Sequence, residues 1–398
     1  MKIGIYNDWW SPDLVGGAER SALSVSRELT NFFGRDQVMI FTLSNRLRSD
    51  NIDLTGEIPL HRIGSFTLRK RYLVPTYIRI LERFRILFDF VTPYRVAHAA
   101  SKANLSIIIV HNVDRLGLKF LFLVSKFFRI HTIRVVHDLS DICINRTRFR
   151  NKTNCKKTCL TCKPKSFLYK IAMLSLYDLV IFNSLFSLTK FNSLKFKAKE
   201  MDYGYILPET LSCENPITKR IENLEKIRIG YVGRVSPEKG LELVIKALQI
   251  LQSSSSSTVE LIVIGTGTTK YITSLVKLAR ESSVSLEMYG YIDNPYDFIR
   301  SKIDLIVIPS LWEETLGRVA YEASMAGFPV LVSRIGGLPE SASLAGKNYF
   351  EFEPSNYFDL SRQISSFYSG NDHGIQPIPR HRKLTDKLIR KISELSGN

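Results

Sequence analysis

Long hydrophobic runs are missing from this 398-residue chain. A helix that crosses a bilayer needs roughly 18–20 consecutive apolar residues. The nearest approach, 120–136, is interrupted by Lys126, Arg129, His131 and Arg134. Nor does the start read as a leader: Met1-Lys2-Ile3-Gly4-Ile5-Tyr6 runs straight into a strand-like pattern and then Asn7-Asp8. Both absences make the cytoplasm the expected location. There is no recognisable nucleic-acid-binding motif, so nucleic acid is not the expected partner. No internal repeat of roughly 20–50 residues marks a solenoid. An acidic surplus is also absent, since 38 Asp and Glu face 55 Lys and Arg.

What is present is ordinary in amount and uneven in placement. Hydrophobic residues make up 44% and charged residues 23%, enough apolar material for two domains with their own cores. Residues 1–220 carry 35 basic against 18 acidic side chains, whereas residues 221–398 carry 20 of each. The net charge of +17 therefore belongs to the first half, which points that half toward an anionic partner. The charge is densest over Arg62–Arg95, where Ile78, Leu81, Phe84, Phe88 and Val91 recur at helical spacing among arginines. Two readings stand for this stretch: an amphipathic helix lying on an anionic membrane surface, or a packed helix with a solvated basic face.

Apolar runs alternate with helical patterns throughout. In the first half the expected strands are 2–6, 38–42, 105–110, 133–136 and 179–182. In the second half they are 227–232, 259–264, 285–289, 305–308 and 329–332. The first helix carries Ala18, Ala22, Val25, Leu29 and Phe32 on one face and stops at Gly34. Such alternation predicts an α/β fold with parallel sheets and ligands at the C-terminal strand ends. The expected division is a first domain over 1–207, a linker at 208–225, a second domain over 226–375 and a basic helical tail over 376–398. The serine run Ser253–Ser257 reads as a solvated loop.

The densest chemistry lies at 310–323, Ser-Leu-Trp-Glu-Glu-Thr-Leu-Gly-Arg-Val-Ala-Tyr-Glu-Ala. The strand 305–308 ends at Pro309, and a helix is expected from about Gly317. Free amides at Gly317, Arg318 and Val319 would form an anion site. Glu314 precedes that helix start and Glu322 lies inside the helix, with carboxylates separated by roughly 10 Å. That spacing suits one carboxylate for a sugar, one for a ribose and the helix end for phosphates. In isolation a pair of glutamates at this spacing reads as a solvated helix with two surface acids, and it is the surrounding motifs that favour a site. Upstream, Ile229-Gly230-Tyr231-Val232-Gly233-Arg234-Val235-Ser236-Pro237-Glu238-Lys239-Gly240 sets two cations five residues apart in a loop after a strand. Fixed cations stabilise the charge that develops on a departing diphosphate. At the start of the chain, Val15-Gly16-Gly17-Ala18-Glu19 allows close backbone approach to a ligand.

These three segments, in this order, resemble the donor-site signature of retaining family-4 glycosyltransferases (glycosyl transferases group 1) with the GT-B fold. The resemblance implies two Rossmann-like parallel-sheet domains facing across a cleft, and a C-terminal helix that returns to the first domain. It implies a nucleotide-diphosphate sugar as donor and no cofactor for catalysis. The absence of any Asp-x-Asp agrees, since the metal-dependent GT-A plan uses one. By the same resemblance Arg234 and Lys239 hold the diphosphate with the Gly16-Gly17 loop and the amides of Gly317 and Val319. Glu322 takes the ribose and Glu314 the sugar. Gly265 in Val263-Ile264-Gly265-Thr266-Gly267 resembles the turn beside the nucleotide, and Tyr291-Ile292 the segment that meets the base. Gly336-Gly337 is the family's next turn. Leu316 departs from the Phe usual there, which keeps an apolar wall without an aromatic face.

Two histidines end strands, His111 before Asn112 and His137 before Asp138. The resemblance places His137 against the donor sugar and acceptor, supporting the reacting centre by hydrogen bonding; a structural role is the other reading of each. Cys143, Cys155, Cys159 and Cys162 crowd into a lysine- and arginine-rich loop after His137, and Cys213 stands apart. Four thiolates so spaced could close a structural zinc site, or remain reduced thiols on a basic loop. The expectation as a whole is a retaining, metal-independent transferase of cell-surface polysaccharide assembly. It would act on a saccharide or polyprenyl-pyrophosphate-linked acceptor, peripheral on the cytoplasmic face of the inner membrane. A non-catalytic GT-B partner subunit, or a GT-B epimerase or phosphorylase, are the alternatives.

Overall fold

A computed structural model describes residues 1–10, 17–44, 50–51, 58–65, 85–86, 88–206, 226–254, 258–370, 374–377 and 382–397. Gly16, most of the basic segment Arg62–Arg95, the linker 208–225 with Cys213, and the end of the serine run lie outside the described residues. The chain divides into two compact units. One comprises residues 1–146, 158–209 and 382–398; the other comprises 147–157 and 210–381. A short piece of the cysteine-rich loop thus groups with the second unit, and the C-terminal helix with the first.

Ten strands precede residue 204: β1 (Ile3–Tyr6), β2 (Val38–Ser44), β3 (Asp50–Asn51), β4 (Leu60–Gly64), β5 (Ile107–Val110), β6 (His131–Val136), β7 (Phe149–Arg150), β8 (Thr153–Asn154), β9 (Leu179–Phe182) and β10 (Met201–Tyr203). Eight of them build one sheet in the order β10-β9-β6-β5-β1-β2-β4-β3. All its pairings are parallel except the short β3 edge. The central strands are buried on both faces, which explains why they read as near-continuous Ile and Val runs. Strands β4 and β10 escaped the sequence pattern because a charged or polar residue interrupts each apolar run.

Helices cover both faces of this sheet. On one face α1 (Gly17–Phe33) buries Ala22, Val25 and Leu29, and Gly34 ends it at φ 94°. Phe32, expected on that buried face, is instead exposed, while Phe33 packs on the core. On the other face lie α2 (Val91–Lys102), α3 (Gly117–Phe122) with a π-helical turn at Leu123–Phe127, α4 (Lys163–Leu176) and α5 (Leu185–Ser193). Ser184 caps α5, its hydroxyl accepting from the Ser187 amide.

The second unit has a six-stranded, wholly parallel sheet: β11 (Lys226–Val232), β12 (Thr258–Ile264), β13 (Ser285–Met288), β14 (Leu305–Ile308), β15 (Val330–Ser333) and β16 (Phe350–Phe352), ordered β13-β12-β11-β14-β15-β16. Its helices are α6 (Leu241–Ser254), α7 (Thr269–Glu281), α8 (Pro295–Ile299), α9 (Arg318–Met325), α10 (Leu338–Ser343) and α11 (Tyr357–Tyr368). The strand order reverses at β11, so the loops after β11 and β14 open next to each other at the C-terminal edge. The last helix, α12 (Leu384–Ser396), buries Leu384, Leu388 and Ile392 in the α1-side core of the first unit. No helix among the described residues is long and apolar enough to cross a membrane.

Candidate active site

The loops after β11 and β14 are held together by backbone packing before any charged side chain acts. After β11, Pro237–Lys239 forms one 3-10 turn, and Gly240 leaves it at φ 76°. A Cβ at Gly240 would run into the Pro309 carbonyl, so only glycine lets the turn press this closely on the end of β14. The Leu311 amide donates to the Glu238 carbonyl at 2.9 Å and locks the same approach. Lys239 Nζ then reaches Glu314 Oε1 at 2.7 Å, and the Ser310 hydroxyl donates to the same oxygen. Glu314 is only 7% exposed, so its charge is held by these two donors rather than by water. Lys239 also lies 5.7 Å from the centre of the Trp312 ring.

Two later glycines, Gly336 and Gly337, pack against this loop. The Gly337 amide donates to the Glu314 carbonyl at 2.7 Å. A Cβ at Gly336 would strike the Glu314 backbone, and one at Gly337 the Thr315 carbonyl. Gly317 caps α9 in the left-handed region at φ 76°, leaving the first amides of the helix at Arg318 and Val319. Leu316 is buried; Val319 is half-buried against the neighbouring core. Inside α9, Glu322 pairs with Arg318 at 3.1 Å and accepts from the Tyr296 hydroxyl at 3.4 Å. Arg234 is largely exposed and pairs with Glu238 at 2.6 Å. Gly265 closes on the Gly233 backbone, its amide donating to the Gly290 carbonyl at 2.6 Å. Tyr291 is exposed, and Ile292 packs on the core beneath.

One contributor was not visible in the sequence. Asn154, at the end of β8, belongs to the second unit. Its side-chain amide donates to the Leu311 carbonyl at 2.7 Å and accepts from the Glu313 amide at 3.2 Å, clasping the backbone on both sides of Trp312. The β7–β8 hairpin is closed by the Cys155 amide on the Arg148 carbonyl at 2.7 Å. An isolated Asn among lysines carries no signal that it will dock 157 residues downstream.

The first unit gathers a separate polar cluster at the C-terminal ends of β1, β5 and β6. His111 Nδ1 and His137 Nε2 share a hydrogen bond of 2.7 Å, and the Asn183 amide donates to the His137 carbonyl at 3.2 Å. His111 is fully buried, which with the Arg134 charge pushes its pKa down to about 3. Burial, and after it the Asp114 charge, push Asp8 up to about 7, although the Tyr6 hydroxyl donates to it at 2.8 Å. Burial raises Asp138 as well, against the pull of Arg146. At Asp114 the balance reverses: Arg146, Lys165 and Arg134 outweigh burial and lower it.

The four clustered cysteines are divided between the two units. Among the described residues no group of three or more His, Cys, Asp or Glu is arranged to hold a metal ion. Cys143 and Cys162 come within 3.9 Å, both buried; Cys155 rides on the hairpin of the second unit. Hydrogen bonds with Thr161 and Cys162 bring the Cys159 thiol down to about 7, while burial raises Cys162 to about 11.

Residues 214–384 match the family model of glycosyl transferases group 1. An uncharacterised 42.6 kDa protein of the cps region of Klebsiella pneumoniae is 37% identical over 123 residues, 31% of this chain and 30% of that one. The lipopolysaccharide 1,2-N-acetylglucosaminetransferase of Salmonella typhimurium is 33% identical over 173 residues, 41% of each chain. The match thus spans well under half the length of these relatives. The solved structure of HepE from Anabaena, in complex with UDP and glucose, superposes over 100% of both chains with a TM-score of 0.66 at 18% identity. The two parallel-sheet domains therefore have the GT-B fold, and the segment 214–384, with Arg234, Lys239, Glu314 and Glu322, is similar to the glycosyl transferases group 1 family.

Proposed function

We propose that the chain is a retaining glycosyltransferase that moves a sugar from a nucleoside-diphosphate sugar to a saccharide acceptor in cell-surface polysaccharide assembly. The observation that carries this reading is the pairing of Lys239 with the buried Glu314, 2.7 Å apart at the C-terminal edge of the second sheet, inside the family-matching segment. The nucleotide and sugar bound by HepE, and the lipopolysaccharide and cps-region relatives, support the donor class and the setting. The basic first half supports an acceptor carried on a polyprenyl diphosphate, with the protein peripheral on the cytoplasmic face of the inner membrane.

In this reading Arg234 and Lys239 meet the diphosphate with the amides of Gly317 and Val319 and the Gly16-Gly17 loop. Glu322 takes the ribose hydroxyls, and Glu314 the sugar hydroxyls. Leu316 walls the sugar; Gly265, Tyr291 and Ile292 flank the nucleotide, and His137 supports the reacting sugar by hydrogen bonding. The acceptor oxygen forms its bond to the anomeric carbon on the side from which the bond to the phosphate oxygen breaks. The acceptor proton passes to that departing oxygen, the negative charge stays between fixed cations, and the configuration is kept. No divalent cation is needed, because Arg234 and Lys239 already supply positive charge.

A turnover screen across UDP- and GDP-sugars tests this, with the unchanged chain, Glu314→Ala and Lys239→Ala. One donor should be consumed with retained anomeric configuration, and each substitution should cost about a hundredfold or more in kcat/KM. An unchanged, folded chain that neither binds nor consumes any donor would sink the reading.

A further inference from the structure

We propose that the outer face of the α2, α3 and α4 layer of the first unit is a docking surface for an anionic lipid bilayer. This deepens the membrane part of the reading above, but it rests on different elements from the basic segment Arg62–Arg95. Helix α4 is apolar on both sides. It buries Tyr169, Ala172, Met173 and Leu176 toward the sheet, yet its opposite stripe is Phe167, Leu168, Ile171 and Leu174, at 63, 52, 49 and 53% exposure. A helix in this state has a second face that asks to be covered. Next to it, α3 and its π-helical turn expose Phe122 and Phe127, and the start of α2 exposes Phe90 and Tyr94. All three helices bury their inner residues in one core on one side of the first sheet, so their outer faces look the same way. Among the described residues, eleven of the seventeen exposed large hydrophobics fall between Phe88 and Leu174, a concentration that scattered surface residues do not show.

Charge selects the occupant. Lys119, Lys126, Arg129, Lys163, Lys165 and Lys170 belong to the same helices and their flanks. The acids from Phe88 to Asp178 are each engaged: Asp89 accepts from the Thr92 amide at the start of α2, Asp114 and Asp138 pair with Arg146, Asp141 is buried against Arg134, and Asp178 pairs with Lys199. Lys119 Nζ lies 4.3 Å from the centre of the Phe90 ring, at one wall of an open apolar groove between α2 and α3. Aromatic and aliphatic side chains interleaved with lysines that outnumber the acids match the boundary between anionic headgroups and acyl chains. A second copy on this face would set lysine against lysine, and so fits less well.

The test uses the full chain, sedimented with vesicles of phosphatidylcholine alone or mixed with phosphatidylglycerol. The unchanged chain should partition onto the mixed vesicles and be released by added salt. Phe167→Ser combined with Ile171→Ser should lower that partition by about tenfold or more, and Lys163→Glu by a smaller factor, with circular dichroism and thermal midpoint unchanged. Phe122→Ser with Phe127→Ser should repeat the loss from the neighbouring helix. The proposal is overturned if the unchanged chain ignores mixed vesicles, or if both double variants bind as it does. It is also overturned if light scattering shows a dimer that these variants split. Donor binding, measured on the same preparations, reports separately on the transferase reading, so either can fail alone.

Discussion

Glu314 keeps a carboxylate in a place water barely reaches, and the neighbours that make this tolerable are Lys239 and Ser310. Both the Arg234/Lys239 loop and the Glu314 segment could be read from sequence, because each combines a strand end with a charge and a glycine. Their pairing could not, since it depends on Gly240 packing against the Pro309 carbonyl. At the same scale, His111 and Asp8 are buried titratable groups with opposite effects on stability. His111 stays neutral in the fold to about pH 3, so between about pH 6.5 and 3 the unfolded chain binds more protons and stability falls as pH falls. Asp8 titrates near pH 7 in the fold and near 3.8 unfolded, so over that window the fold binds more protons and stability rises as pH falls. The two slopes oppose each other over their shared range, which flattens the profile of the unchanged chain. Replacing His111 by Gln removes one slope. The stability gap between variant and unchanged chain should close by about 1.4 kcal/mol per pH unit from about pH 6 to pH 4, read by urea denaturation at each pH. A constant gap would contradict the burial of a neutral His111.

Among elements, the β7–β8 hairpin departs most from what the sequence pattern suggests. Its strands are two residues long and interrupted by Asn151 and Lys152 in the left-handed region, so no periodicity announces them. Its importance comes from the Asn154 clasp on 311–313, the segment that leads directly into Glu314. Asn154→Ala removes both hydrogen bonds and Asn154→Asp removes the donor only. The Ala variant should lose about tenfold in kcat/KM for the donor, and the Asp variant less, with the thermal midpoint of each within a few degrees of the unchanged chain. Equal kinetics for all three would show that the clasp does not position Glu314. By contrast, α9 was legible in advance: a helix is expected from about Gly317, and α9 starts at Arg318.

For the whole molecule, the chain builds the first unit, then the second, and returns to the first through α12. Tyr205 binds the returning segment by paired backbone hydrogen bonds, to the Arg382 carbonyl at 2.8 Å and from the Leu384 amide at 3.0 Å. A Cβ at Gly204 would collide with Leu384, so this crossing also needs a glycine. Lys391 pairs with Glu200 at 2.6 Å, and Lys387 with Asp202 at 2.9 Å. Deleting residues 384–398 would bare the core around Leu384, Leu388 and Ile392. The truncated chain should lose several degrees or more of thermal midpoint in the first unit and bind the hydrophobic dye ANS, with circular dichroism as the control for the second unit. An unchanged melting curve would mean that α12 adds little to that core.

Local order was decided by sequence alone. The alternation of apolar strands with helices, the strand ends at Tyr6, Val110, Val136, Val232 and Ile308, and the loops that follow them all come from interactions within a few residues, where periodicity, glycine and charge are enough. Tertiary structure decided what those loops do to one another. It paired Lys239 with Glu314 and His111 with His137, docked Asn154 far along the chain, grouped Cys155 with the second unit, and left Phe167, Leu168, Ile171 and Leu174 of α4 exposed. Each of these outcomes depends on which backbones approach closely enough to exclude a Cβ or a water molecule. Residues distant in the chain settle that by packing, and a linear pattern holds no record of it.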